Sequence, residues 1–338
     1  MVSLIKFNDT DFLHAGARIK SIENKLLTER QLAQMVDAQT LEEAYKVAND
    51  AGIGVDYPVE EYEKALAANL QGTYEFLLSI AGEHDFLSLL RYEHDALNLK
   101  ILIKSRAMEK TTDETDELLS ELGSVPAAVL KEEVRLGRYE HTPPLMAKAV
   151  DEATDVLART NDPQLMDVII DKAMLADTLV EAEKYNIKLL HKIVRAKIDI
   201  ANIRSLVRVK RIDKDMDFFK RVISPGGNIS EGVLQDAFAR GMDGVIAFIE
   251  SSSYGGILEP ALASLRTNGS LTSFERLSDN ALIRLLGEGR LIPFGPELLV
   301  IHALAKESEA RAVRIVLASR IAGVAPALIK ERLRETYA

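Results

Sequence analysis

Apolar side chains recur at three- and four-residue steps along most of the chain. Phe86, Leu90, Leu97 and Ile101 form one such series, and Leu165, Ile169, Ala173 and Ala176 form another. This spacing gathers them on one face of a helix, whereas the period-two alternation of a half-buried strand is scarce. Helix starts are written at matching places. Thr28 with Gln31, Thr40 with Glu43 and Thr272 with Glu275 have the capping-box spacing, and Asp162 before Pro163 suits an N-cap and first helical residue. Gly and Pro gather in GIGVDYP (52–58), GSVP (123–126), SPGG (224–227), SYGGILEP (253–260) and GEGRLIPFGP (287–296), where connectors are expected. The pattern predicts an all-α protein.

A longer period lies over the helical one. DALNLK at 95–100 is matched by DIANIR at 199–204 and, further on, by EARAVR at 309–314. The shared positions are Asp95, Asn98 and Lys100, then Asp199, Asn202 and Arg204, then Glu309 and Arg314, with Ala312 where the others have Asn. Arg91 and Arg195 stand four residues before the first two acids, and Ala305 before the third. LLTERQLAQMV from Leu26 also resembles NISEGVLQDAF from Asn228. Intervals this long exceed solenoid repeats and point to duplicated helical domains, expected at 1–115, 116–218 and 219–338. On a helix Asp95, Asn98 and Leu99 share a face. A polar spot on an otherwise apolar helix is expected to fix how that helix packs against a neighbour or the next domain, with catalysis the lesser alternative.

Composition narrows the function. The 338 residues suffice for two or three compact units. Without cysteine there is no disulfide, thiolate nucleophile or iron–sulfur site. A formal charge of −10 disfavours long-range attraction to nucleic acid. The start MVSLIKFNDTDF lacks the basic and apolar regions of a signal peptide. The most apolar late stretch, ARAVRIVLASRIAGVAPALI, carries Arg311, Arg314 and Arg320, so no membrane span is expected.

Candidate chemistry centres on two EHD triplets, at 83–85 and 93–95. His84, Asp85, His94 and Asp95 are the residue types of a metal-dependent phosphohydrolase. No further His and Asp stand at a recognised spacing, so no metal ligand or catalytic residue is assigned. RYEH occurs at 91–94 and 138–141. The second copy precedes Thr142-Pro143-Pro144, which ends helical structure, so the match is read as coincidence. Neither GxxxxGK[ST] nor GxSxG occurs, and no cofactor is expected. The stretch 188–211 is basic, with Lys192, Arg195, Arg204, Arg208, Lys210 and Arg211 opposed by Asp199 alone. It is either a solvated helix face or a contact for an acidic partner.

Four segments carry a family resemblance: AGARIKSIENKLLTERQLAQMVDAQTLEEAYKVA at 15–48, YEHDALNLKILIKSR at 92–106, AKIDIANIRSLVRVK at 196–210 and LAKESEARAVRIVLASRIAG at 304–323. In their order and combination they resemble the C subunit of bacterial and archaeal V/A-type rotary ATPases, counterpart of the eukaryotic d subunit. The resemblance implies three related helical domains about a pseudo-threefold axis, forming a funnel. It implies a peripheral position on the cytoplasmic face of the membrane, seated on the proteolipid ring and receiving the D- and F-type subunits of the central stalk. It also implies a rotor part without catalytic residues, metal or cofactor. The family's usual Tyr-Gly after its first helical pair is replaced by Ala51-Gly52-Ile53-Gly54, while Tyr254-Gly255 supplies it in the third unit. An HD-type phosphohydrolase and a helical scaffold for soluble partners are the competing expectations.

Overall fold

A computed structural model of the chain describes residue 5 and residues 7–338 except 268. Among the described residues there is no strand, and one bridge pairs Ile5 with Tyr185. The first helices are α1 (Leu13–Ile22), α2 (Glu29–Asp37), α3 (Leu41–Asp50), α4 (Tyr62–Ile80), α5 (Tyr92–Ala107), α6 (Thr112–Asp116), α7 (Ala127–Leu136), α8 (Pro144–Thr160) and α9 (Pro163–Ala182). Then follow α10 (Lys188–Arg211), α11 (Met216–Val222), α12 (Glu231–Ala239), α13 (Gly241–Ser251), α14 (Gly255–Arg266), α15 (Thr272–Gly287), α16 (Glu297–Ile321) and α17 (Pro326–Arg332). The all-α expectation holds.

The helices form two compact units, each built from discontinuous segments. One holds Asp85–Ser205 and Asp215–Gly232. Here α8 and α9 pack as a hairpin, and α5 lies against α7, α8 and α9. The hairpin turn follows from three residues. Asn161 adopts the left-handed conformation that ends α8, Asp162 accepts a hydrogen bond from Gln164 N–H at 2.9 Å, and Pro163 opens α9. Ala96, Leu99 and Ile103 of α5, Met146, Val150 and Ala153 of α8, and Met166 and Ile170 of α9 are buried between them. At about 25 cal/mol per Å² of apolar surface, the Val, Leu, Ile and Met side chains among them stabilise the fold by roughly 1.5–3 kcal/mol each before entropy is counted, and the alanine methyls by about 0.8 kcal/mol.

The other unit holds Phe7–His84, Leu206–Lys214 and Val233–Ala338. Its axis is α16, which packs on α1, α2, α3, α4, α15 and α17. Surrounded in this way, α16 buries residues on all sides, including His302, Glu307 and Glu309. The chain end is tied to α15: Arg334 pairs with Asp279 at 2.9 Å, and Glu335 N–H donates to Asn280 at 2.9 Å.

Most capping signals form. Thr28 and Gln31 make the reciprocal box, and Thr40 Oγ1 accepts from Glu43 N–H. Thr272 does not cap α15. Its own N–H is taken by Ser270 Oγ at 3.1 Å, and Glu275 is drawn into an ion pair with Arg208.

The two RYEH copies have different backbones, as expected: 91–94 leads into α5, whereas 138–141 is loop. That loop wraps a buried acid of α7. Glu133 accepts from the N–H groups of Glu140, His141 and Thr142 and from Thr142 Oγ1. Burial pushes the Glu133 carboxyl up, but these bonds together outweigh it and hold the group down at about 2. A depressed carboxyl stabilises the fold above its unfolded value and loses that contribution as pH falls toward 2. Glu133→Gln is therefore expected to lower stability by roughly 2–3 kcal/mol at pH 7, with little difference from the parent near pH 2. Denaturant melts across that range check it, and an equal loss at both ends would contradict it.

Candidate functional site

The repeated acids are buried, Asp95 near the start of α5 and Asp199 and Glu309 near the middle of α10 and α16. Asp95 and Asp199 are fully inaccessible, and Glu309 is 4 % exposed. Each carboxylate binds the backbone of a loop that leads into another helix. Ser124 N–H and Oγ donate to Asp95 Oδ2 at 3.1 and 2.5 Å, and Val125 N–H donates to Oδ1 at 3.1 Å. Ile229 N–H donates to Asp199 Oδ1 at 2.9 Å, and Asn228 Nδ2 to Oδ2 at 3.0 Å. Leu27 N–H donates to Glu309 Oε1 at 2.7 Å. Val125, Ile229 and Leu27 each stand two residues before a helix, α7, α12 and α2 respectively. One contact is thus made three times.

Asn98 and Asn202 repeat a second contact. Asn98 donates to Ser120 C=O and accepts from Ser120 N–H, both at 2.8 Å. Asn202 does the same with Ser224, again at 2.8 Å in both directions. With Ala312 in the third position this bond pair has no side chain to form it.

Two glycines admit the loops. A β-carbon at Gly123 would overlap Asp95 Oδ1, and one at Gly227 would overlap Asp199 Oδ1. The corresponding residue before Leu27 is Lys25. There the acid is Glu309, whose carboxylate stands one methylene further from its helix, leaving room for a β-carbon. Burial pushes the Asp95 carboxyl above its usual range, against the pull of the Ser124 and Val125 hydrogen bonds and of Arg91. Arg91 itself donates to Leu122 C=O at 2.8 Å, so it also holds the loop.

The basic repeat positions reach other helices. Lys100 pairs with Asp171 of α9 at 2.7 Å, and Arg314 with Glu63 of α4 at 2.8 Å. Arg204 is half-buried. Of the basic stretch on α10, Arg195 lies 3.4 Å from Glu183, Arg208 pairs with Glu275, and Lys210 sits over the Phe238 ring at 4.5 Å. Lys192 is exposed and Arg211 half-buried.

The histidine–carboxylate residues serve separate local contacts. His94 Nδ1 lies 3.2 Å from Ser120 Oγ, the His84 ring meets Phe7 edge-on at 4.7 Å, and Asp85 presents its backbone carbonyl to Ser88 Oγ at 2.9 Å. Asp95 is committed to its loop. Among the described residues no three His, Asp or Glu side chains are grouped to hold a metal.

Sequence reasoning missed the loop partners. Their signal was present: Ser120 and Ser224, and Gly123 and Gly227, are separated by the same interval as Asp95 and Asp199. Backbone donors carry no side-chain signature of their own, so the acids were visible without the groups they hold.

Helices that repeat one buried acid-to-loop contact at three places characterise this all-α protein. The sequence profile of the ATP synthase (C/AC39) subunit family matches residues 15–332, and the chain belongs to that family, whose members are non-catalytic accessory subunits of A/V-type ATP synthases. It is 28% identical to the C subunit of the A-type ATP synthase of Methanothermobacter thermautotrophicus, covering 95% of this chain and 87% of that protein. It is 28% identical to the C subunit of the A-type ATP synthase of a Desulfurococcus species, over 95% and 90% of the two chains. With the C subunit of the V-type sodium ATPase of Enterococcus hirae it shares 24% identity over 94% and 97%. The protein is a subunit of a rotary ATPase, and among its described residues no helix is long and apolar enough to cross a membrane.

Proposed function

We propose that this subunit is the rotor part that couples the central stalk, through its D- and F-type subunits, to the membrane proteolipid ring on the cytoplasmic side. Torque from the ATP-hydrolysing head passes through it to the ring, or in the reverse direction during synthesis. The observation that carries this reading is the family match over nearly the whole chain. The anchors supply the mechanical reason. A part that transmits torque must not yield between its segments, and a buried carboxylate bound to backbone N–H groups resists displacement because exposing either partner unmatched costs about 1–3 kcal/mol per group.

The same anchors support three copies with boundaries near 115 and 218. On that division Asp95 of the first copy holds a loop of the second, Asp199 of the second holds the third, and Glu309 of the third holds the first. Lys100 and Arg314 follow the same order. The repeat residues then organise the domains in a cycle.

An affinity-tagged copy recovered from solubilised membranes is expected to bring the D- and F-type subunits and the ring with it. Recovery of the intact complex without this chain, or of the chain with neither partner, would contradict the proposal. On α10, Lys188 and Lys192 are solvent-exposed on the first turns, where a reversal of charge probes a stalk contact. Lys188→Glu with Lys192→Glu is expected to weaken stalk binding about tenfold at low salt without changing helical circular dichroism. Unchanged affinity would remove α10 from the interface.

A further inference from the structure

Within the unit built on α16 lies a cavity of about 440 Å³ between α1, α4 and α16, open to solvent on one side. Its polar wall is made by Lys25, Asn69, Thr73, His302 and Lys306, and Phe76 contributes to its apolar side. No Asp or Glu lines it. His302 is 5 % exposed, and its Nδ1 has no hydrogen-bond partner. A buried imidazole nitrogen without a partner is costly unless something supplies one.

The residues that give this wall its character depart from the repeat. Counted back from the repeated acid, His302 corresponds to Ser88 and Lys192, and Lys306 to Tyr92 and Ala196. Lys25 corresponds to Gly123 and Gly227. The full set of three basic groups therefore occurs in one copy and is no by-product of the duplicated packing. Volume, an apolar side and a few converging polar groups are the attributes of a small-molecule site.

We propose that this cavity binds a small soluble phosphate monoester, its phosphate held by Lys25, Lys306 and His302 and its apolar body set against Phe76. A dianion suits two ammonium groups, an imidazole and a hydroxyl better than a single carboxylate charge does. The site also touches the third anchor on both sides. Lys306 pairs with Glu309, and Lys25 lies in the loop that Glu309 holds. A bound dianion therefore shares Lys306 with the Glu309 carboxylate, which couples occupancy to the Glu309 contact, and the inference stands whether or not the rotor reading does.

The groups facing His302 set its proton affinity. Burial and Lys306 push the imidazole down to about 4, while Glu23, itself paired with Lys20, pulls it up. A bound dianion adds to the upward pull, so the His302 midpoint is expected to rise on binding.

The test is nuclear magnetic resonance of the His302 imidazole in the full chain, assigned by its loss in His302→Gln, with phenyl phosphate as probe. A saturable shift is expected, at least tenfold tighter than with inorganic phosphate, together with a raised midpoint. Lys25→Glu, at an exposed position, is expected to weaken it at least tenfold. Gly72 lines the cavity and a β-carbon there meets open space, so Gly72→Leu fills the site without backbone conflict and is expected to abolish binding. Both variants are to be checked by circular dichroism. No saturable shift with either probe, or equal binding in folded Lys25→Glu and Gly72→Leu, would overturn the proposal. Benzoate binding as tightly as phenyl phosphate would overturn the assignment to a phosphate.

Discussion

Asp95→Ala is expected to lower unfolding stability by about 4 kcal/mol. The substitution strips acceptors from three donors at once, Ser124 N–H, Ser124 Oγ and Val125 N–H, at a position without solvent access. Little compensation is available, because water would have to enter a packed helix-to-loop junction. Asp199→Ala removes the partner of Ile229 N–H and Asn228 Nδ2 and should lose about 3 kcal/mol by the same reasoning. Gly123→Ala should also destabilise, because its β-carbon competes for the space of Asp95 Oδ1. Arg135→Ala, which breaks a fully exposed pair with Glu132, should leave stability essentially unchanged. Urea unfolding of the four variants separates the outcomes. An Asp95→Ala loss no larger than that of Arg135→Ala would remove the anchor from the account.

The second large effect falls on Glu309. Glu309→Ala is expected to cost about 3 kcal/mol, since it orphans Leu27 N–H and leaves the ammonium of the largely buried Lys306 without its partner. Amide exchange at Leu27 should accelerate accordingly. The pairing of acid length with the loop residue gives a sharper version. Glu309→Asp draws the carboxylate back by one methylene, and Lys25→Gly allows the close approach that Gly123 and Gly227 allow at Asp95 and Asp199. Each single change should destabilise, and the double variant should recover at least about 1 kcal/mol of the sum. Strict additivity of the two losses would show that acid length and loop residue are unrelated.

Different parts of this molecule were readable for different reasons. Helices were visible because burial on one face imposes a period of about 3.6, and that signal is local. The Thr28 and Asp162 caps were visible because a side chain three or fewer residues away satisfies a specific orphan N–H. Thr272 misled because its capping partner Glu275 had a stronger claim on it, the guanidinium of Arg208 brought in by tertiary structure. The repeated acids stood out by their spacing, yet the groups they bind are backbone amides of Val125, Ile229 and Leu27, which any residue type could supply. The contact between Leu27 and Glu309 joins opposite ends of the chain, where no periodicity connects them. His302 was invisible for a related reason: a lone histidine on an apolar helix carries no mark of the cavity that α1 and α4 build beside it.

On the proposed function, this subunit turns with the ring and stalk. The chain has no cysteine, so single cysteines at exposed positions such as Met108 and Leu291 can be cross-linked without background. The most direct measurement is ATP-driven ion transport by the membrane complex after covalent cross-linking of this subunit to the proteolipid ring. The account predicts transport retained at close to the uncross-linked rate, because a bond between two parts of one rotor leaves their common rotation free. Transport abolished by that cross-link and restored when it is cleaved would contradict it.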